Sequence, residues 1–243
     1  MKKLILKSKI ILVVSILFIT GCTAQNRGRV KGNGNVIHKT KDVGSFEEIE
    51  VSGAFDIYLV KGKEGHLDIK IEDNLLPYLV TEVDNGQLKI KWKKGSSIST
   101  RKGVVITVQF KSINGVGLTG SGDIVSKDLI KADHFKVAIS GSGDMDLEVE
   151  SNSLSAAVSG SGDIVLKGST KSFEAAVAGS GDISAFHLKS DNAEIKVSGS
   201  GDVELTVQNE LKARVSGSGD ISYKGNPKIQ DIKVSGSGDV SSY

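Results

Sequence analysis

Gly120-Ser121-Gly122-Asp123 is the first of seven identical tetrapeptides whose regular spacing decides the fold. The aspartates that end them lie 21, 19, 19, 20, 18 and 19 residues apart. A short motif that returns with a period near 20 residues is typical of a solenoid, in which each repeat forms one coil stacked on the preceding one. The other six copies are Gly141–Asp144, Gly160–Asp163, Gly179–Asp182, Gly199–Asp202, Gly217–Asp220 and Gly236–Asp239.

Apolar residues flank every copy at a constant separation of six positions, as Val158 and Ile164 flank the third. Because six is even, alternation with a period of two continues through the motif, which predicts strand rather than helix. The predicted fold class is all-β: a right-handed parallel β-helix with about 20 residues per coil and an irregular amino-terminal capping region. The pattern leaves open whether each tetrapeptide is a flat strand or a corner.

The first 21 residues are predicted to be a signal peptide. Lysines precede an apolar stretch, Ile10–Thr20, that is too short for a stable membrane anchor. Ile19-Thr20-Gly21-Cys22 resembles the lipobox of bacterial lipoproteins, which implies cleavage before Cys22 and acylation of this residue; a plain secretory signal with an incidental cysteine is the alternative. Cys22 is the only cysteine, so no internal disulfide is expected. Residues 22–29 are predicted to form a polar tether.

Removal of the signal peptide changes the charge of the chain. Its four lysines, taken from 31 basic residues, leave 27 against 29 acidic ones, a net charge of −2. This balance gives no basic surface for nucleic acid, which is excluded as a partner.

Residues 30–243 are predicted to form a single solenoid domain, with irregular capping coils over 30–118 and regular coils over 119–243. Val30–Val36 has the same V-x-G-x-G-x-V frame as the repeats, and Val51–Ile57 has Ala54 and Phe55 in place of Ser and Gly. Both segments are predicted to be degenerate coils, with Phe55 filling the interior.

Two local motifs are expected within the capping region. Asp84-Asn85-Gly86 is typical of a hairpin turn. Asp73 is expected to cap a single helical turn that Pro77 limits. The region is predicted to cover the amino-terminal end of the stack, whereas the last coil is predicted to keep an open edge that invites a partner.

Taken together, the lipobox, the V-S-G-A-F-D-I segment, the D-N-L-L-P and T-E-V-D-N-G-Q-L-K-I segments and the G-S-G-D series resemble the auto-transporter adhesin, head GIN-domain family of Bacteroidetes-type lipoproteins. The resemblance covers roughly residues 36–240. It implies a β-solenoid envelope protein with an adhesin role and offers no catalytic residues. Surface-exported lipoproteins of such bacteria usually carry acidic residues after the lipidated cysteine. Residues 23–27 carry none, which favours the periplasmic side of the outer membrane over the cell surface.

The aspartates of the tetrapeptides are the candidate site residues. Coils stacked in register would place their carboxylates roughly 5 Å apart, and charges that close repel. Two interpretations stay open: each carboxylate accepts bonds from amides of its own turn and the neighbouring Ser, or calcium bridges carboxylate and hydroxyl oxygens. The candidate ligand or cation face is Asp123, Asp144, Asp163, Asp182, Asp202, Asp220 and Asp239. Apart from this calcium alternative, no cofactor or metal ligand is predicted.

Serines next to these aspartates form a second periodic set, predicted to be columns of stacked hydroxyls or a polar surface for sugars or a partner protein. Charged residues at the outward positions of the preceding strands have mixed signs, which predicts a solvated face. They are Lys136, Glu174, Glu194, Lys196, Lys212, Arg214 and Lys233.

No catalytic motif stands out, so the chain is not predicted to be an enzyme. The four histidines have no metal-ligand spacing, and seven equivalent aspartates do not separate an acid from a base. Three functions remain, in this order: a lipid-anchored, non-catalytic, adhesin-like envelope protein that binds an unknown protein or glycan; an assembly protein that forms homo-oligomers through its open carboxyl-terminal coil; and a polysaccharide-acting enzyme.

Overall fold

The computed structural model describes residues 28–243, and the predicted signal peptide and Cys22 lie outside them. Almost every described segment is strand, and the stack is a β-solenoid of about 7 turns, about 19 residues apart, which confirms the predicted fold class. The strands are β1 (Val30–Lys31), β2 (Val36–Asp42), β3 (Glu48–Gly53), β4 (Asp56–Lys61), β5 (His66–Glu72), β6 (Leu79–Asp84), β7 (Gln87–Trp92), β8 (Ile98–Ser99), β9 (Val105–Phe110), β10 (Gly115–Gly120), β11 (Ile124–Ser126), β12 (Ile130–Gly141), β13 (Met145–Gly160), β14 (Ile164–Gly179), β15 (Ile183–Gly199), β16 (Val203–Gly217), β17 (Ile221–Lys224), β18 (Ile229–Gly236) and β19 (Val240–Ser242).

The regular coils stack as parallel strands with their tetrapeptides in register. Gly120 pairs with Gly141, and the series continues coil by coil to Gly236. Val158 and Ile164 are buried, whereas Ser159 and Asp163 are exposed, so the alternation seen in the sequence separates the interior from the surface. The apolar residues that flank the tetrapeptides form one continuous core.

Each tetrapeptide is a corner, which decides a point that the sequence left open. The first glycine of every copy has a φ between 130° and 140°, a region that L side chains rarely adopt. The second glycine lies against the coil below: a Cβ added there would lie 2.0–2.1 Å from a backbone oxygen of that coil. The first glycine therefore turns the chain, and the second allows the coils to approach.

Val51–Ile57 forms a coil directly below the first regular one, as predicted. Gly53 pairs with Gly120, and Ile57 pairs with Ile124. Phe55 occupies the position of a second glycine and is fully buried, with its ring 4.9 Å from that of Trp92.

The chain between these two coils folds beneath them and covers the end of the stack. β7 runs parallel to β3 and β9 runs parallel to β4, which adds one more layer. Antiparallel strands then close the end, because β5 pairs with both β9 and β2, and β6 pairs with β7. The hairpin predicted at Asp84–Gly86 joins β6 to β7, with a positive φ at Asn85 and Gly86. The predicted helical turn is a 3₁₀ helix, Asp73–Tyr78, but Glu72 rather than Asp73 is its cap residue.

The prediction that Val30–Val36 forms a degenerate coil is wrong. β1 pairs with β8 in a separate two-stranded sheet, and β2 runs antiparallel to β5. The glycines of this segment wrap the buried carboxylate of Glu72: the Gly34 N–H donates to Oε1 at 2.5 Å, and a Cβ on Gly32 would lie 2.0 Å from Oε2. The glycines of this segment therefore have a spacing similar to that of the repeat, but they make room for a carboxylate instead of forming the corner of a coil.

Candidate binding face

The structure brings the seven predicted aspartates into one column, as expected from coils in register. From Asp144 to Asp220, each carboxylate accepts a hydrogen bond from the backbone N–H of the next aspartate in the column. The five N–Oδ1 distances are 2.7–2.9 Å. The amide belongs to the neighbouring coil, not to the same turn as the Asx-turn interpretation proposed. At the corner, the regular backbone hydrogen bonds between neighbouring coils are interrupted. Each of these Oδ1 atoms takes the place of a backbone carbonyl as the acceptor there.

The column continues into the capping region with an aspartate that the sequence analysis did not include. Asp56 lies opposite Asp123, because their neighbours Ile57 and Ile124 are paired. Burial raises the pKa of Asp56, and the nearby charge of Asp123 raises it further. In residues 28–243, no group of three or more His, Cys, Asp or Glu side chains is arranged to hold a metal ion. The amide bonds give the column a structural role, and calcium binding stays a prediction.

The charged residues of the preceding strands, taken in the sequence as one mixed set, separate into two columns. Lys196, Arg214 and Lys233 pair in register on β15, β16 and β18. The adjacent column mixes both signs and contains Lys136, Ser155, Glu174, Glu194, Lys212 and Asp231. One stripe of the face is therefore entirely cationic over its last three coils.

A groove runs along this cationic column, and we call it the cationic groove. It has a volume of about 460 Å³ and crosses β14, β15, β16 and β18. Lys196, Arg214 and Lys233 line it together with a column of small residues, Ala178, Ser198, Ser216 and Ser235. Because methyl groups and serine hydroxyls are short and the cationic side chains are long, the column of small residues forms its floor.

Two of the three cations are paired with acids at the edge of the groove. Lys196 Nζ lies 2.7 Å from Glu194, and this hydrogen bond lowers the pKa of Glu194 and raises that of Lys196. Arg214 donates to the carboxylate and, at 2.6 Å, to the backbone oxygen of Asp231, and lowers the pKa of that carboxyl. Lys233 has no ion pair within residues 28–243, so no acid of the described chain neutralises its charge.

The sequence contained a simple indication of the cationic column. Its three members each lie three residues before the first glycine of a tetrapeptide, whereas Glu194 and Lys212 lie five before it. Alignment on the glycines alone would have separated the two columns. The serine columns are exposed as predicted, but the hydrogen bonds of the described chain include none between their hydroxyls.

A second hollow of about 690 Å³ is lined by polar residues of β12 to β15, including Lys131, Lys171 and Lys189. Its lining also contains the acids Asp133, Glu150 and Asp191. No helix within residues 28–243 is long and apolar enough to cross a membrane. Cys22, the predicted lipidation site, lies outside the described residues.

Comparisons with known proteins agree with this architecture. The model of the family described as "Putative auto-transporter adhesin, head GIN domain" matches residues 45–227. A solved structure described as a putative adhesin from Bacteroides fragilis is 24% identical, with a TM-score of 0.84, and covers 88% of this chain and 100% of its own. No protein in the curated set matches.

Two further solved structures come from Parabacteroides. One, from P. distasonis, is described as a putative lipid binding protein; it is 29% identical with a TM-score of 0.72 and covers 88% of this chain and 100% of its own. The other, a putative adhesin from P. merdae, is 25% identical with a TM-score of 0.73 and covers 88% of this chain and 99% of its own. These names support a binding or adhesin-like role at the cell envelope or surface.

Proposed function

Because the chain belongs to the family described as "Putative auto-transporter adhesin, head GIN domain", we propose that it is a lipid-anchored, non-catalytic binding protein of the cell envelope. Its ligand is an acidic glycan or an acidic segment of a protein, held in the cationic groove. The polar columns around the groove provide a flat, regular surface on either side of the contact.

The cationic groove carries this proposal. Lys196, Arg214 and Lys233 stand one coil apart, so their charges repeat along the axis at roughly 5 Å. An extended ligand with regularly spaced acidic groups can meet all three, whereas a small anion meets one. Aromatic platforms for neutral sugars are absent from the groove, where Ala, Val, Ser, Lys and Arg form the lining. Recognition therefore rests on charge rather than on stacking.

Loss of the groove cations should weaken this binding. We expect the triple variant Lys196→Gln, Arg214→Gln, Lys233→Gln to bind acidic glycans on an array roughly 3- to 150-fold more weakly, since each exposed charge contact contributes about 0.2–1 kcal/mol. The matched control, Lys131→Gln, Lys171→Gln, Lys189→Gln, removes the same charge from the second hollow and should change binding less than twofold. An equal loss in both variants would assign the effect to net charge and refute the groove.

The same array tests the absence of catalysis. Bound glycans should be recovered unchanged, because five of the seven aspartates in the column accept backbone hydrogen bonds and the equivalent carboxylates offer no acid distinct from a base. Cleaved product above the background of the groove variant would instead support a polysaccharide-acting enzyme.

Anchoring is proposed to depend on Cys22 and its lipobox. We expect cells that express the chain to incorporate an alkyne-labelled fatty acid into it, and Cys22→Ala to remove this label completely while Thr23→Ala keeps it. Label retained in Cys22→Ala would refute the anchor. Protease treatment of intact cells then distinguishes the two sides of the outer membrane, and we expect protection, in line with the uncharged or basic residues that follow Cys22.

An anionic lipid headgroup is the second candidate ligand. The walls of the groove include the aliphatic stems of its cations and the methyl group of Ala178, and one structural neighbour is described as a "Putative lipid binding protein". Vesicles with and without phosphatidylglycerol, offered to the same two triple variants, distinguish this candidate from a glycan.

A further inference from the structure

The last coil exposes an apolar strip beside an unpaired strand edge. β18 pairs with β16 on one side, and its other edge has no strand partner in the described part of the chain. Ile232 and Val234 face the interior side of the coil, yet they are 37% and 43% exposed. Val215, the equivalent of Val234 one coil below, is 2% exposed. Backbone N–H and C=O groups without a strand partner therefore lie beside exposed apolar side chains. An added strand would form hydrogen bonds with the backbone groups and cover the side chains.

The charges on β18 indicate which strand would fit. Asp231 and Lys233 flank Ile232 on the outward face. In an antiparallel pair centred on Ile232, Asp231 of one copy lies opposite Lys233 of the other, and the twofold axis repeats this contact. The side chains on the inner face, Ile232 and Val234, would then be covered by the same residues and Gln230 of the second copy.

We propose that two copies of this chain associate end to end through β18, antiparallel and with Ile232 on the twofold axis. The association goes beyond the proposed ligand binding but shares Lys233 and Val234 with the lining of the cationic groove. Lys233 is available for the contact because it has no ion pair within residues 28–243. Asp231 already receives Arg214 of its own chain through one oxygen, Oδ2. Its carboxylate can accept from both cations.

The residue on the axis provides the first test. Residues directly opposite in antiparallel strands have Cα atoms about 4.5–5.5 Å apart, within the range of a disulfide. We expect Ile232→Cys, in the full chain in native membranes, to form a disulfide-linked dimer under mild oxidation. Ser180→Cys, which is exposed three coils away, should stay monomeric. Equal cross-linking of both variants, or of neither, would overturn the proposal.

Charge reversal provides the second test and distinguishes a second copy from a strand of another protein. In the Ile232→Cys background, Lys233→Asp or Asp231→Lys alone should lower the cross-linked fraction about tenfold, because two attractive pairs become repulsive. Co-expression of the two variants with different tags should restore cross-linking as the mixed dimer only, since each opposes the other's charges. Cross-linking that ignores these reversals, or a mixed pair that stays monomeric, would overturn the antiparallel register.

Discussion

Gly181→Ala is expected to destabilise the solenoid by about 3 kcal/mol or more. The added Cβ would lie 2.1 Å from the carbonyl oxygen of Gly162 and 3.0 Å from two further backbone atoms of that residue. Flexible side chains can move away from such a contact, but here the obstacle is the backbone of a coil that is itself fixed by its neighbours. Relief would require separation of the coils and loss of their hydrogen bonds.

Two control variants isolate the cause. Ser180→Ala changes the adjacent exposed residue of the same corner and should alter the free energy of unfolding by less than about 0.5 kcal/mol. Gly115→Ala replaces a glycine in β10 with a φ outside the left-handed region and no atom nearer than 3.4 Å to the new Cβ, so it should be close to neutral. Urea unfolding of the three variants measures the differences. A Gly181→Ala protein as stable as Gly115→Ala would show that the coils can separate freely.

The sequence predicted the regular coils well because their information is local and repeated. Alternation around Val158 and Ile164 defines the inner face of one coil, and six further copies define a common register. The tetrapeptide did not show that it turns the chain, since glycine is compatible with both conformations and only the φ of 130°–140° distinguishes them.

The capping region was predicted only in part because its partners are distant in sequence. Gly53 pairs with Gly120, although residues 62–114 lie between the two coils in the sequence. The alternation of apolar and polar residues predicts that β7 and β9 are strands. It does not indicate that these strands form the coil beneath β3 and β4. The prediction for Val30–Val36 was wrong for a related reason. Its glycines have the spacing of the repeat, but they are there because they contact the carboxylate of a residue that is distant in sequence.

The candidate site shows the same limit. The column of aspartates follows from the period alone, and its predicted alignment is confirmed. One of the two interpretations took the partner of each carboxylate from its own turn, whereas the structure gives the amide of the next coil, a contact that no local pattern encodes. The cationic column could have been predicted only by counting how many residues each charged side chain lies before the first glycine of its tetrapeptide. Without that count, the sequence analysis placed Lys196 and Glu194 in the same set of mixed charge.

Glu72 is the distant carboxylate around which the amino-terminal segment folds, and its substitution should have the second large effect. Its side chain is fully buried. It accepts hydrogen bonds from the backbone N–H groups of Gly34 at 2.5 Å, of Arg101 at 2.8 Å and of Lys102. Three segments of the cap thus meet at one carboxylate. Glu72→Gln would turn an NH₂ group toward these donors, and we expect a loss of about 3 kcal/mol in the stability of the cap. The exposed Glu148→Gln is the control and should cost less than about 0.5 kcal/mol.

The pH dependence of this loss identifies the charge as its cause. Burial raises the pKa of Glu72, but the N–H groups of Arg101, Gly34 and Lys102 lower it more, so the net shift is below the ordinary value of 4.5. A carboxyl with a lowered pKa in the folded state contributes its full stability above the unfolded value and loses it as the pH falls through the folded value. The stability difference between the unmodified chain and Glu72→Gln should therefore be constant from pH 7 to about pH 5 and shrink below pH 4.5. A difference that is the same at pH 3 and pH 7 in urea unfolding would show that Glu72 acts through its shape, not its charge.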